Sequence, residues 1–183
     1  MKIAIIGGIG SGKSAAAHII KEMGYPVYDA DEIYKEISTR KEYLDKVNAT
    51  WPGAVKDNAL DRAYLGKIVF SDKKELEKLN AIAHPLVKQE IDILSKDKEV
   101  VYFEVPVFVG SILQDYFDRV ILVEAEVKFR ISRIMKRSGY DKEYAKKIIA
   151  SQPTDEELEK YADVIVENNK DHIHLRQQLA KVL

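Results

Sequence analysis

A three-layer α/β/α fold around a five-stranded parallel sheet is predicted by three observations. Five short apolar runs recur along the 183 residues, and segments with helical spacing of apolar residues separate them. The first run, Ile3-Ala4-Ile5-Ile6, leads without a break into Gly7-Gly8-Ile9-Gly10-Ser11-Gly12-Lys13-Ser14, which fits G-x-x-x-x-G-K-[ST] and opens a helix. A helical insertion and a basic helix are predicted to interrupt this core.

The first strand presents the loop, and the loop's residue types are those a nucleoside triphosphate requires. Its glycines let the backbone turn so that successive N–H groups point at phosphate oxygens. Gly8, Gly10, Ser11, Gly12, Lys13, Ser14 and Ala15 are the predicted nucleotide contacts. Lys13 adds a mobile positive charge for the β- and γ-phosphates, and Ser14 a hydroxyl for Mg²⁺. The helix that starts there sets its positive N-terminal end against the bound anion.

Ala15 to Met23 carries Ala16, Ile19, Ile20 and Met23 on one face, a core-facing helix that Gly24 ends. His18 lies in this helix, turned away from the loop by the same spacing. Tyr25-Pro26-Val27-Tyr28 is the second strand, and Asp29-Ala30-Asp31 follows it. Ligands collect at the carboxyl ends of strands in an open parallel sheet, so one of these aspartates is expected to serve catalysis. Either can also cap the next helix, Glu32 to Ser38.

Arg40 to Leu94 shows no alternating strand but several amphipathic patches, and is predicted to be the helical insertion. Trp51-Pro52-Gly53 and Ser71-Asp72 mark turns within it. Asp61-Arg62 is expected to start one helix and His84-Pro85 another, Pro85 suiting a first helical position.

Glu99 to Val105 is the third strand; Glu104, near its end, either lines a site or sits on an exposed strand end. Val120 to Val123 is the fourth. Val127 to Lys136 then alternates Phe129, Ile131, Ile134 and Met135 with Arg130, Arg133, Lys136 and Arg137. Such a run is either a solvated helix face or a mobile lid whose arginines close over phosphates and neutralise developing charge. Lys142 to Ala150 reads as a helix, Thr154-Asp155-Glu156-Glu157 as the cap of another, Val164-Ile165-Val166 as the last strand and Ile173 to Leu183 as the closing helix.

Composition narrows the function. The net charge of −1, from 29 basic and 30 acidic residues, argues against a dedicated nucleic-acid surface. With no cysteine, thiolate zinc sites, disulfide frameworks and thiol nucleophiles are all excluded. No segment has the 18 or so uninterrupted apolar residues of a membrane span, and the N-terminal apolar run stops at the phosphate loop. A cytoplasmic enzyme or switch with no membrane partner is expected, and the sequence carries no signal for an oligomeric state.

In order and spacing, nearly the whole chain resembles the dephospho-coenzyme A kinase family. The shared features are Gly7 to Ser14, Asp29-Ala30-Asp31, Leu60-Asp61-Arg62 through Leu65, Val69-Phe70, Leu79-Asn80, His84-Pro85, Arg133 with Arg137, Gln152, Ala162-Asp163 and Asn168. The resemblance implies transfer of the γ-phosphoryl group of ATP, with Mg²⁺, to the ribose 3′-hydroxyl of dephospho-CoA. It also implies one kinase domain, 1–183, in three parts: a nucleotide-binding core (about 1–31, 96–125 and 156–183), a helical CoA-binding insertion (about 32–95) and a lid (about 126–155). By the same resemblance Asp31 receives or orients the acceptor hydroxyl, Lys13 and Arg137 stabilise charge in transfer, and Arg62, His84 and Gln152 contact substrate.

The chain departs from the family pattern in places. Ala15 stands where a threonine is common, Lys170 where a glycine is usual, and Pro106-Val107-Phe108-Val109-Gly110 where the family often has Pro-Leu-Leu-Phe-Glu. The acidic residue missing at Gly110 leaves Glu104 as its candidate replacement. Two rival readings remain at this level: another P-loop small-molecule kinase, acting on a nucleoside monophosphate or a sugar, and a nucleotide-gated switch. The sequence has no Asn/Thr-Lys-x-Asp guanine-reading motif, which counts against the switch.

Overall fold

The computed structural model describes residues 1–109, 111 and 113–183. In chain order the elements are β1 (Lys2–Ile6), α1 (Lys13–Glu22), β2 (Val27–Asp29), α2 (Ala30–Ile37), α3 (Lys41–Thr50), β3 (Val55–Lys56), β4 (Ala59–Leu60) and α4 (Arg62–Val69). They continue with α5 (Lys73–Ser95), β5 (Val101–Glu104), β6 (Arg119–Glu124), α6 (Val127–Ser138), α7 (Lys142–Ala150), α8 (Asp155–Glu159), β7 (Val164–Glu167) and α9 (His172–Leu179). Two compact units emerge, Met1–Asp29 with Asp97–Leu183, and Ala30–Lys96. Among the described residues no helix is long and apolar enough to cross a membrane.

The first unit holds a five-stranded sheet in the order β2-β5-β1-β6-β7, every neighbouring pair parallel. A parallel sheet needs both faces covered, and after Lys2 the central strand meets that need with apolar residues: Ile3, Ala4, Ile5 and Ile6 are all buried. Ile3 and Ile5 join Ile19 and Ile20 of α1, Tyr102, Ile121, Val166, and Leu175 and Leu179 of α9 in one cluster. Each fully buried isoleucine or leucine there contributes about 1.5–3 kcal/mol, which fixes α1 against the sheet and so fixes the loop that precedes it. Gly24, at φ +95°, donates to Lys21 and ends α1 where a side chain would be strained.

The second unit is mainly helical, with Ile33, Ile37, Tyr43, Val47, Leu65 and Ile91 among its buried residues. Two expectations fail here. His84-Pro85 does not start a helix: α5 runs unbroken from Lys73 to Ser95 with Pro85 inside it. An interior proline costs about 3 kcal/mol, but Ala81, whose carbonyl loses its partner, is exposed to water. Burial of Leu86, Val87 and Ile91 just beyond it outweighs that cost. The second failure is a hairpin where no strand was expected. β3 and β4 pair antiparallel across Asp57 and Asn58, both at positive φ (50° and 59°), the requirement of a type I′ turn.

The remaining elements fall close to expectation, with differences at the ends. α9 stops at Leu179, where Ala180 to Leu183 continue only as turns bonded back to Arg176, Gln178 and Leu179. The cap predicted at Thr154 is a complete capping box, Thr154 Oγ1 accepting from Glu157 N–H and the Glu157 carboxylate from Thr154 N–H.

Candidate active site

A loop that aims its N–H groups at phosphate must turn its carbonyls the other way, and each buried carbonyl then needs a donor. From Gly7 to Gly12 every one has it. Lys13 Nζ donates to Gly7 O at 2.7 Å, Ser11 N–H to Gly8 O at 3.1 Å and Arg130 Nε to Ile9 O at 3.0 Å. Arg133 Nη1 donates to both Gly10 O and Ser11 O at 3.1 Å, Asn168 Nδ2 to Ser11 O at 2.9 Å, and Ala16 N–H to Gly12 O at 3.0 Å. The middle of the loop, Ile9 to Ser11, is therefore held by side chains more than 100 residues away. Gly12 shows how closely: at φ +106°, a Cβ there would come within 2.0 Å of Asn168 Nδ2.

At the start of α1, Ser14 Oγ donates to Glu104 Oε1 at 2.7 Å. Glu104 is buried at the carboxyl end of β5, in register with Ile5 on one side and Asp29 on the other. Of the two readings left open by the sequence, the exposed strand end is ruled out: Glu104 is buried, and a buried carboxylate is tolerated because a hydroxyl meets it. A hydroxyl and a carboxylate oxygen in contact are hard donors of the kind that suits Mg²⁺. A cavity of about 240 Å³ opens beside Gly7 and Gly8, lined further by Val105, Pro106, Phe108, Gln152 and Leu158.

The basic helix α6 presents two faces. Arg130, 3% exposed, lies on the same stripe as Ile131 and Ile134, and its Nη1 meets the Asp155 carboxylate at 3.1 Å. Arg133 is half-buried, and its Nη2 donates to Asn168 O at 2.7 Å. Burial pulls Arg133 below the ordinary arginine value, and carbonyls, not carboxylates, are the partners that hold it. Arg137, the arginine predicted to serve transfer, is exposed on the last turn of α6, before Gly139 ends the helix at φ +69°. Gln152 accepts from Ile9 N–H at 2.7 Å, which makes it a partner of the loop's backbone. At the end of β6, Glu124 has a buried Oε1, and desolvation, then the charges of Asp155, Glu159 and Glu167, push it up to about 7.

The remaining predicted residues belong to the second unit. Asp31 is exposed and is the second residue of α2, inside the first turn and past the cap position. Arg62 opens α4 and donates from Nη2 to Ser38 Oγ at 2.9 Å. Beside it Tyr43 is buried, its phenol raised by desolvation and by the 2.8 Å bond to Tyr34. His84 is half-buried within α5, and burial, then the charge of Lys88, lowers it, which favours the neutral imidazole. Gly110 lies outside the described residues, and Lys170 is exposed in the bend after Asn168.

Sequence reasoning missed the role of Arg130 and the partnership of Glu104 with Ser14. For Arg130 a signal existed: it stands one residue before Ile131 and four before Ile134, on the apolar stripe of α6. For Glu104 only its apolar strand hinted at burial, and the partner lies 90 residues away.

Comparisons with known proteins bear on the family and the fold. A family model described as Dephospho-CoA kinase matches residues 1–173. A dephospho-CoA kinase of Fusobacterium nucleatum is 39% identical over 173 residues, 92% of this chain and 90% of that protein. Among solved structures, a protein from Thermus thermophilus aligns with a TM-score of 0.83 at 30% identity, covering 100% of this chain and 95% of the other. Dephospho-CoA kinase from Campylobacter jejuni aligns with a TM-score of 0.70 at 28% identity, covering 100% and 96%.

Proposed function

The chain belongs to the dephospho-CoA kinase family, and from that premise we propose how its residues phosphorylate the ribose 3′-hydroxyl of dephospho-CoA at the expense of ATP, giving coenzyme A and ADP. The observation that carries the proposal is the loop from Gly7 to Ser14, its carbonyls all engaged behind it and its serine joined to Glu104. In phosphoryl transfer the protein's work is positioning and charge stabilisation, and a preformed cradle supplies both.

Gly8, Gly10, Ser11, Gly12, Lys13, Ser14 and Ala15 bind the phosphates of ATP in this reading. Lys13 carries its ammonium on a flexible stem, so it exchanges the Gly7 carbonyl for a phosphate oxygen when nucleotide arrives. Ser14 and Glu104 would hold Mg²⁺, which when bound neutralises charge on the β- and γ-phosphates. Asp31 follows β2 by two residues, beyond the strand end whose Asp29 pairs in register with Glu104. Its carboxylate aims the ribose hydroxyl and takes the hydroxyl's proton as the transfer completes.

The compact unit Ala30–Lys96 supports reading this segment as the acceptor-binding insertion, with Arg62 and His84 contributing to it. Arg137 belongs to the lid and acts on the transferring group. Gln152 positions the loop through Ile9 and, next to the cavity beside Gly8, also borders the acceptor. The test is release of ADP from ATP and Mg²⁺ with a panel of acceptors. Release is expected to depend on dephospho-CoA. Dependence on a nucleoside monophosphate or a sugar would overturn the acceptor assignment, and slow release indifferent to every acceptor would point to a switch.

A further inference from the structure

We infer that Arg130 is the positioning residue of the nucleotide loop: its buried guanidinium, anchored on Asp155, holds the Gly8-Ile9 segment in its phosphate-binding shape. The inference deepens the reading of this site as the ATP cradle and rests on it.

Three observations carry it. Arg130 is 3% exposed, yet its hydrogen bonds reach outward from α6 to other elements: Nε to Ile9 O at 3.0 Å, and Nη1 to Asp155 Oδ1 and Oδ2 at 3.1 and 3.3 Å. Secondly, the guanidinium lies against Gly8. A Cβ built there would meet Arg130 Nη2 at 2.1 Å and Cζ at 2.7 Å, and its three nearest atoms are all Arg130 side-chain atoms. Gly8 is not among the glycines at positive φ, so what the structure sets against a side chain here is the arginine, whose guanidinium would have to loosen its bonds to Ile9 O and Asp155 to move aside. Thirdly, Nη2 is buried without a protein partner among the described residues. A residue serving only to fill space would not leave a charged donor unsatisfied, since that costs stability.

These contacts give the arginine two effects on the loop. The bond to Ile9 O keeps that carbonyl turned away from the nucleotide, alongside the Gln152 bond to Ile9 N–H. The planar guanidinium against Gly8 sets how close the backbone approaches α6, and it leaves desolvated positive charge beside the anion's cradle. Asp155 fixes the fork at its far end, and α8, which carries Asp155, is itself held by the Thr154 and Glu157 capping box.

The experiment combines Arg130→Ala, Gly8→Ala, the double variant and Asp155→Ala, measuring ADP affinity by calorimetry together with kcat and KM. ADP binding reports the loop without any acceptor, so its result is independent of whether dephospho-CoA is the true substrate. Arg130→Ala is expected to lower kcat/KM for ATP about 10²-fold, the size that follows displacement of a positioned group by about 1 Å, and to weaken ADP while leaving dephospho-CoA affinity as it was. Gly8→Ala is expected to be comparably damaging alone but nearly silent in the Arg130→Ala background, because the clash is then gone. Asp155→Ala, a partly exposed site away from the loop, is expected to shift ADP affinity in the same direction by less. Arg130→Ala with ADP affinity and kcat within threefold of the unaltered protein would overturn the inference. So would Gly8→Ala losses that multiply with those of Arg130→Ala, or a folded Asp155→Ala with unchanged ADP affinity.

Discussion

Replacing Asp31 by alanine is expected to lower kcat by 10²-fold or more while ATP binds as before. General acid–base groups supply about 10²–10⁴ in rate, and even the lower figure corresponds to about 2.7 kcal/mol of barrier. The structural alternative for this residue is smaller. An acidic residue in the first turn of a helix favours the helix by about 0.3–1 kcal/mol, a term of stability and not of turnover. Asp31 and Glu32 share that first turn, so loss of one leaves the dipole's acidic partner in place. The two accounts therefore separate in a coupled ADP assay combined with thermal melting: a folded protein with collapsed kcat supports the catalytic role, and near-normal turnover removes Asp31 from the mechanism. A change confined to KM for dephospho-CoA would make Asp31 a binding residue only.

Lys13→Ala is expected to lower kcat by about 10²–10³-fold, the usual cost of removing one preorganised donor to developing charge. The lysine's ammonium rests on Gly7 O at 2.7 Å and Gly8 O at 3.4 Å, and its flexible stem lets it leave them for the arriving phosphates. Truncation also leaves Gly7 O without that donor, and some loss of ATP affinity is expected beside the loss of turnover. Most of the loop's carbonyls keep their partners, since Arg130, Arg133, Asn168 and the helix supply them, so the cradle itself survives. Stopped-flow measurement of the chemical step with saturating ATP isolates the effect on transfer. A step at the unaltered rate would show that Lys13 serves binding alone.

What was legible in the sequence is what local chemistry encodes. The phosphate loop, the run of apolar strands and the Thr154 capping box each depend on neighbours a few residues apart, and each stands where it was expected. The hairpin at Val55 to Leu60 escaped because its strands are two residues long, too short for alternation to register, and its turn is Asp-Asn where Asn-Gly or Asp-Gly is the stronger signal. Pro85 misled for a related reason: proline's local preference for a helix start lost to the burial of Leu86, Val87 and Ile91 along one continuous helix.

The site divides in the same way. Lys13 and Ser14 announce themselves by motif, whereas Arg130 looked like one more cation on a basic helix until its neighbours across the chain were known. Arg133, Asn168 and Gln152 likewise act on the loop's backbone, and a backbone carbonyl has no residue type for a motif to record. Arrangements of this kind join partners 120 residues or more apart, beyond the reach of spacing rules.

Mass spectrometry of a reaction containing the protein, ATP, Mg²⁺ and dephospho-CoA tests the phosphoryl transfer most directly, with phosphorus NMR locating the new group. A kinase built as described yields a species heavier than dephospho-CoA by one phosphoryl group, carried on the ribose 3′ oxygen, in step with ADP. Dephospho-CoA recovered unchanged, or phosphate found on any other oxygen, would contradict it.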